Sequence, residues 1–299
     1  MPYGYTKPLY ILPFDHRSFF STHLFQKKTG LTEEERRTIA DVKRMIYDGC
    51  LSAIEKGVPK DGAAILVDEE YGAEIQKDAR KRGIVNILTT EKSGQEVFDF
   101  EYGEDFGAHI EALDPVFAKA LVRYRPDGDA EKNRLQLERL KRLSDWCHAH
   151  GRKFLVEPLI TPSEREKTEI GQETFDREIR PGLTVDMIRQ FQEASVEPDV
   201  WKIEGMEEAE HYRLVIAQAR KDGRGDVSLV VLGRAEETEH VEHWLRAGRG
   251  IEGVTGFAIG RTIFWEPLQS YLKKETTREQ AVDAIADNYL RFYEVFVNG

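Results

Sequence analysis

Eight short apolar runs alternate with longer amphipathic stretches along this chain, and that alternation restricts its fold more than any other feature. The runs cover residues 9–14, 63–67, 84–88, 117–124, 153–156, 199–205, 228–232 and 253–259. Each has the length and bounding residues of a buried strand. The stretches between them carry helix signals. Thr32 and Glu35 form a capping box for a helix reaching about Gly57. A second helix stops at Gly83, and a charged one over residues 130–150 stops at Gly151. Further helices are expected from a Thr184 cap and over residues 207–221, 236–247 and 278–296. Residues 93–115 and 161–182 read as long loops. Right-handed strand–helix–strand crossovers give a parallel sheet. Eight units in 299 residues, with no linker-like tract, predict a single (β/α)8 TIM barrel, one domain over residues 1–299. An open doubly wound sheet is the competing arrangement.

Composition removes several function classes. A net charge of −11 argues against a general nucleic-acid binder. No apolar run approaches the roughly 18 residues of a membrane span, and the first residues lack the pattern of an export signal. Cys50 and Cys147 suggest no disulfide framework, so a cytoplasmic protein is expected. No Walker-type loop is present, and the glycines around Arg224 mark a turn rather than a nucleotide fingerprint.

In a (β/α)8 barrel, chemistry gathers where strands end. The ends here carry Asp15 and Arg17 on run one, Asp68 and Glu70 on run two, and Lys92 on run three. Lys119 lies within run four, Glu157 ends run five, and Lys202 lies within run six. Runs seven and eight end in Gly233-Arg234 and Gly260-Arg261. Asp68 and Glu70 read first as helix caps. Lys202, between Trp201 and Ile203, has two readings: a salt-bridged structural lysine, or an amine kept neutral enough to attack a carbonyl. Two lysines and a carboxylate on consecutive strands favour the second. A neighbouring ammonium and burial both lower an amine's pKa, and the carboxylate can shuttle protons. The Gly-Arg pairs stand where this fold commonly binds phosphate.

These residues resemble the class I, Schiff-base aldolases of the tagatose 1,6-bisphosphate aldolase type. The resemblance rests on PFDHR, ILVDEEYG, TTEKSG, FAKALVRYRPD, FLVEPL, DVWKIEG and FAIGRTIFW, and covers nearly the whole chain. Within that superfamily the chain is most similar to the aldolase-like domain fused behind a sugar kinase in bacterial myo-inositol catabolism, here without the kinase portion. The resemblance implies Lys202 as the Schiff-base lysine, Glu157 as the proton shuttle, Lys119 as the second active-site lysine and Asp15 as the handler of the hydroxyl proton. It implies Gly260 and Arg261 as phosphate ligands, with Gly233 as their partner and Lys92 on the matching Glu-Lys turn; Arg234 and Arg17 join the substrate- and phosphate-binding candidates from their places at strand ends. Where the family more often carries Gln this chain has His16, implying a shifted substrate preference. The implied reaction is metal-independent and cofactor-free. It cleaves 5-dehydro-2-deoxy-6-phosphogluconate to dihydroxyacetone phosphate and malonate semialdehyde.

Other readings compete with it. Tagatose 1,6-bisphosphate or a sulfo-sugar phosphate could be the substrate, in an aldolase or a transaldolase. A metal-dependent aldolase or hydrolase would use His148 and His150, or His240 and His243, but these fall within helices, and a His-x-His pair on a helix points to different faces. A sugar-phosphate-binding regulator is the non-catalytic alternative. The partner expected is a phosphorylated sugar, with no nucleic acid and no membrane. An exposed Trp244 or the aromatic tail 289–296 would serve a homo-oligomer interface.

Overall fold

The computed structural model describes residues 3–234 and 236–299. Its eight parallel strands close in sequence order: β1 (Leu9–Pro13), β2 (Ala63–Val67), β3 (Val85–Thr89), β4 (Phe117–Arg123), β5 (Lys153–Leu159), β6 (Val200–Glu204), β7 (Ser228–Leu232) and β8 (Val254–Ala258). Leu9 pairs with Gly256 and Ile11 with Ala258 to close the ring. The barrel is therefore the (β/α)8 architecture read from the alternation, and the open sheet is excluded.

Pleating sends alternate side chains inward and outward. Leu9, Ile11, Leu66, Ile87, Phe117, Leu155, Val200 and Val230 fill the barrel interior. The outward residues, such as Leu12, Ile65, Trp201 and Phe257, pack under the helices in a second, larger core.

The helices are α1 (Arg17–Phe25), α2 (Glu33–Lys56), α3 (Glu69–Arg82), α4 (Phe106–Leu113), α5 (Ala130–Ala149), α6 (Glu164–Glu169), α7 (Gln172–Thr174), α8 (Arg180–Glu193), α9 (Ala209–Ala219), α10 (Thr238–Gly248), α11 (Arg261–Leu272) and α12 (Arg278–Asn298). The Thr32–Glu35 capping box starts α2 as anticipated. Asp68 caps α3 by accepting from the Tyr71 N–H, and Glu70 pairs with Arg36 on the surface. Among the described residues no helix is long and apolar enough to cross a membrane.

Several local expectations are corrected. Thr184 does not start a helix; it lies inside α8, and its hydroxyl donates to the Arg180 carbonyl. Residues 161–182 are largely helical. Ser163 and Glu166 form a capping box on α6, and a π-helical turn, Phe175–Ile179, leads into α8. Residues 93–115 include α4, and Phe100 among them forms a short antiparallel bridge with Glu91. Trp244 is fully buried, because Gly205 leaves room for its ring: a Cβ there would stand 2.1 Å from the indole. Tyr289, Phe292 and Phe296 are buried as well. Trp244 is therefore not exposed, and of the tail's aromatic side chains Tyr293 alone is partly exposed.

Candidate active site

Each of three adjacent strands changes from apolar to charged along its inward face. Phe117 is followed two residues later by Lys119, Leu155 by Glu157 and Val200 by Lys202. The period of two keeps all three charged side chains on the inward face, above the apolar plug. Asp15, two residues beyond Pro13 at the end of β1, completes the layer.

The layer is tightly bonded. Glu157 Oε2 lies 2.8 Å from Lys202 Nζ and 3.0 Å from Lys119 Nζ. Lys119 Nζ also lies 2.9 Å from Asp15 Oδ2 and 2.5 Å from Glu91 Oε1. Lys119 thus faces three carboxylates, whereas Lys202 is paired with Glu157. Both lysines are almost fully buried. The structure brings together Lys202, Glu157, Lys119 and Asp15, and adds Glu91.

Electrostatics divides the roles. Burial pushes the Lys119 ammonium down, but Asp15, Glu157 and Glu91 outweigh it and hold the pKa well above the usual lysine range. Burial pushes Asp15 up, but Lys119, with His16 and Lys202, holds its carboxyl well below the ordinary value. Glu157 is lowered in the same way, its burial outweighed by Lys119 and Lys202. Lys119 is therefore a fixed cation, and Asp15 and Glu157 are ionised acceptors. Burial pushes the His16 imidazole down to about 4, helped by Arg261 and Lys202, so the ring is neutral at pH 7. Its Nδ1 and Glu91 Oε2 are buried without hydrogen-bond partners.

A cavity of about 190 Å³ opens above this layer, lined by Asp15, His16, Lys92, Lys119, Arg123 and Glu157 among others. Arg261 starts α11 at the end of β8, with its guanidinium 5.4 Å from the ring centroid of Phe19, another lining residue. Gly260 caps α11 against the end of β1, where a Cβ would meet the Pro13 carbonyl at 2.3 Å. Gly233 follows β7, and Lys92 is exposed at the rim.

Two other sequence candidates are otherwise engaged. Arg234 pairs with Asp176 at 2.8 Å, Glu236 at 3.0 Å and Glu204 at 3.4 Å. Arg17 pairs with Glu101 at 2.7 Å and donates to the Glu91 carbonyl. The histidine pairs stay on their helices: His148 meets Asp199, His150 stacks on Trp146, and His240 and His243 both reach Glu207. Among the described residues no three His, Cys, Asp or Glu side chains are grouped to hold a metal.

A family described as "Uncharacterized protein conserved in bacteria (DUF2090)" matches residues 4–298. The chain belongs to this family. This DUF2090 member is also 28% identical over 178 residues to proteins named tagatose 1,6-diphosphate aldolase from Listeria monocytogenes serotype 4a and Listeria innocua serovar 6a. Each match covers 57% of this chain and 48% of the relative, so the chain spans about half the length of the curated relatives it matches. Among solved structures, fructose-bisphosphate aldolase from Plasmodium falciparum superposes with a TM-score of 0.67 at 14% identity, over 97% of this chain and 91% of that one. Fructose-bisphosphate aldolase from Slackia heliotrinireducens superposes with a TM-score of 0.58 at 13% identity, over 94% and 86%. At such identities the structural likeness speaks for the fold of this DUF2090 chain alone.

Glu91 escaped the sequence reading although its signal was present: Ile87, Thr89 and Glu91 continue the inward pleat of β3. Glu204, which accepts from the Ile160 N–H, is likewise the next inward residue after Lys202. Burial pushes its carboxyl up.

Proposed function

We propose that the chain is a class I aldolase in which Lys202 forms a Schiff base with a phosphorylated keto sugar acid, 5-dehydro-2-deoxy-6-phosphogluconate. The observation that carries this reading is the single oxygen, Glu157 Oε2, within reach of both Lys202 and Lys119. Lys119 keeps its own proton, so Glu157 is free to accept the one that Lys202 must shed. The neutral amine adds to the substrate ketone. Glu157 returns the proton to the carbinolamine oxygen, and water leaves as the iminium forms.

Asp15 then takes the proton from the hydroxyl β to the iminium carbon. The carbon–carbon bond breaks, its electron pair moves into the iminium, and the aldehyde, malonate semialdehyde, departs. Protonation and hydrolysis of the enamine release dihydroxyacetone phosphate and restore Lys202. The positively charged iminium is itself the sink for that electron pair, so the proposed reaction is metal- and cofactor-independent. Arg261, Gly260 and Gly233 suit the phosphate: a guanidinium, the first turn of α11 and a glycine just after the neighbouring strand β7. Arg234 suits it less, since a phosphate would have to displace Asp176.

Borohydride reduction in the presence of dihydroxyacetone phosphate tests the reading. An irreversible adduct on Lys202, read by peptide mass, is expected, together with full activity in chelator. An unlabelled Lys202 rejects it.

A further inference from the structure

Most arginines in this acidic chain are neutralised. Among the described residues every arginine except Arg123, Arg249 and Arg261 has a carboxylate ion pair. Arg249 lies between α10 and β8, at the end of the barrel away from the charged layer. The other two stand at the mouth. In a closed ring of eight strands, β4 and β8 are four apart in either direction, so Arg123 and Arg261 face each other across it. The Lys202–Glu157–Asp15 centre lies on strands between them.

Position separates Arg123 from an ordinary solvated arginine. It follows Lys119 and Leu121 on the inward pleat of β4, and all three line the same cavity as Asp15 and Glu157. Its Nη1 donates to the Gln95 carbonyl at 3.0 Å, which steadies one edge of the guanidinium. The fork retains further N–H groups for an oxyanion. Lys92 lines the same wall and adds positive charge.

We infer that Arg123 recognises an anionic group, carboxylate or phosphate, at the aldehyde-derived end of the substrate, across the mouth from Arg261. This assignment rests on the aldolase reading and deepens it. The substrate carries an anion at each end, and Arg123 makes the enzyme select acidic over neutral aldehydes in the condensation direction.

The test compares kcat/KM for condensation of dihydroxyacetone phosphate with malonate semialdehyde, glyceraldehyde 3-phosphate and neutral propanal, in the wild type and in Arg123→Gln. Losing a charge-assisted contact should lower the acidic-to-neutral ratio about 10- to 100-fold. The aldehyde whose ratio falls identifies the anion. Borohydride trapping on Lys202 in the variant reports an intact Schiff-base centre. Arg249→Gln removes the same net charge far from the mouth and should leave the ratio in place. Trapping with an unchanged ratio overturns the Arg123 assignment alone. An equal drop in Arg249→Gln also overturns it, since net charge would then suffice. Absence of a wild-type adduct overturns the underlying aldolase reading.

Discussion

Lys202 Nζ lies 2.8 Å from Glu157 Oε2 on the neighbouring strand, both groups buried above the apolar plug of the barrel. In the proposed mechanism this contact gives the amine a base for its proton without help from solvent. Glu157→Gln preserves shape and removes that base. It should lower kcat about 10²- to 10⁴-fold, the usual worth of a positioned proton-transfer group, while Lys202 remains trappable on long incubation. Steady-state cleavage and single-turnover trapping check this; a loss below tenfold would remove Glu157 from the proton path.

Lys119 forms ion pairs with Asp15, Glu91 and Glu157 at once. Lys119→Met leaves buried carboxylates without that cation and should cost about 3–5 kcal/mol at pH 7. The sign with pH is defined. Asp15 and Glu157 have lowered pKa values in the fold, so their stabilisation is present above the unfolded carboxylate range and is lost as pH falls through the folded values. Without Lys119 the carboxyls can protonate instead, so the variant's deficit should shrink towards pH 5. Denaturant unfolding at the two pH values measures it.

His16 acts in the opposite sense. Its folded pKa, about 4, is below the unfolded histidine value of roughly 6.5. Between those values the unfolded chain binds more protons, so stability falls as pH is lowered through that window. His16→Asn abolishes this slope. From pH 7 to pH 5 the variant should gain on the wild type by on the order of 1–2 kcal/mol; parallel pH profiles would contradict the assignment.

Lys43 and Asp68 form a fully buried ion pair between α2 and the start of α3, with Lys43 Nζ 5.2 Å and 5.4 Å from the ring centroids of Phe20 and Tyr71. Breaking one side strands a charge, so Lys43→Met should cost about 3–5 kcal/mol. Asp68→Asn keeps an oxygen for the Tyr71 N–H and removes the charge. The double substitution should recover most of the Lys43→Met loss. A double-mutant cycle by chemical denaturation decides, and simple additivity would count against the pair.

Much of the site could be read along the chain because strand geometry is local. The step from Leu155 to Glu157, or from Val200 to Lys202, places a charge above an apolar residue in any barrel with this register. Glu91 could have been found by the same rule. Arg234 could not have been judged so: its strongest partner, Asp176, is 58 residues away on a turn that reads as polar loop. Trp244, expected to be exposed, is buried, and its burial depends on the absent side chain of Gly205 on another element, which no local pattern announces.

Taken by itself, the order of residues determined the eight-unit barrel and the inward direction of Lys119, Glu157 and Lys202, since hydrophobic period and pleat act over a few neighbouring positions. Only the tertiary structure decided that one Glu157 oxygen serves two lysines, that Lys119 is the fixed cation, and that Arg261 and Arg123 remain open while Arg234 and Arg17 are engaged. Ion pairing depends on distances of a few ångströms between groups far apart in the chain, and those distances exist only once the barrel has closed.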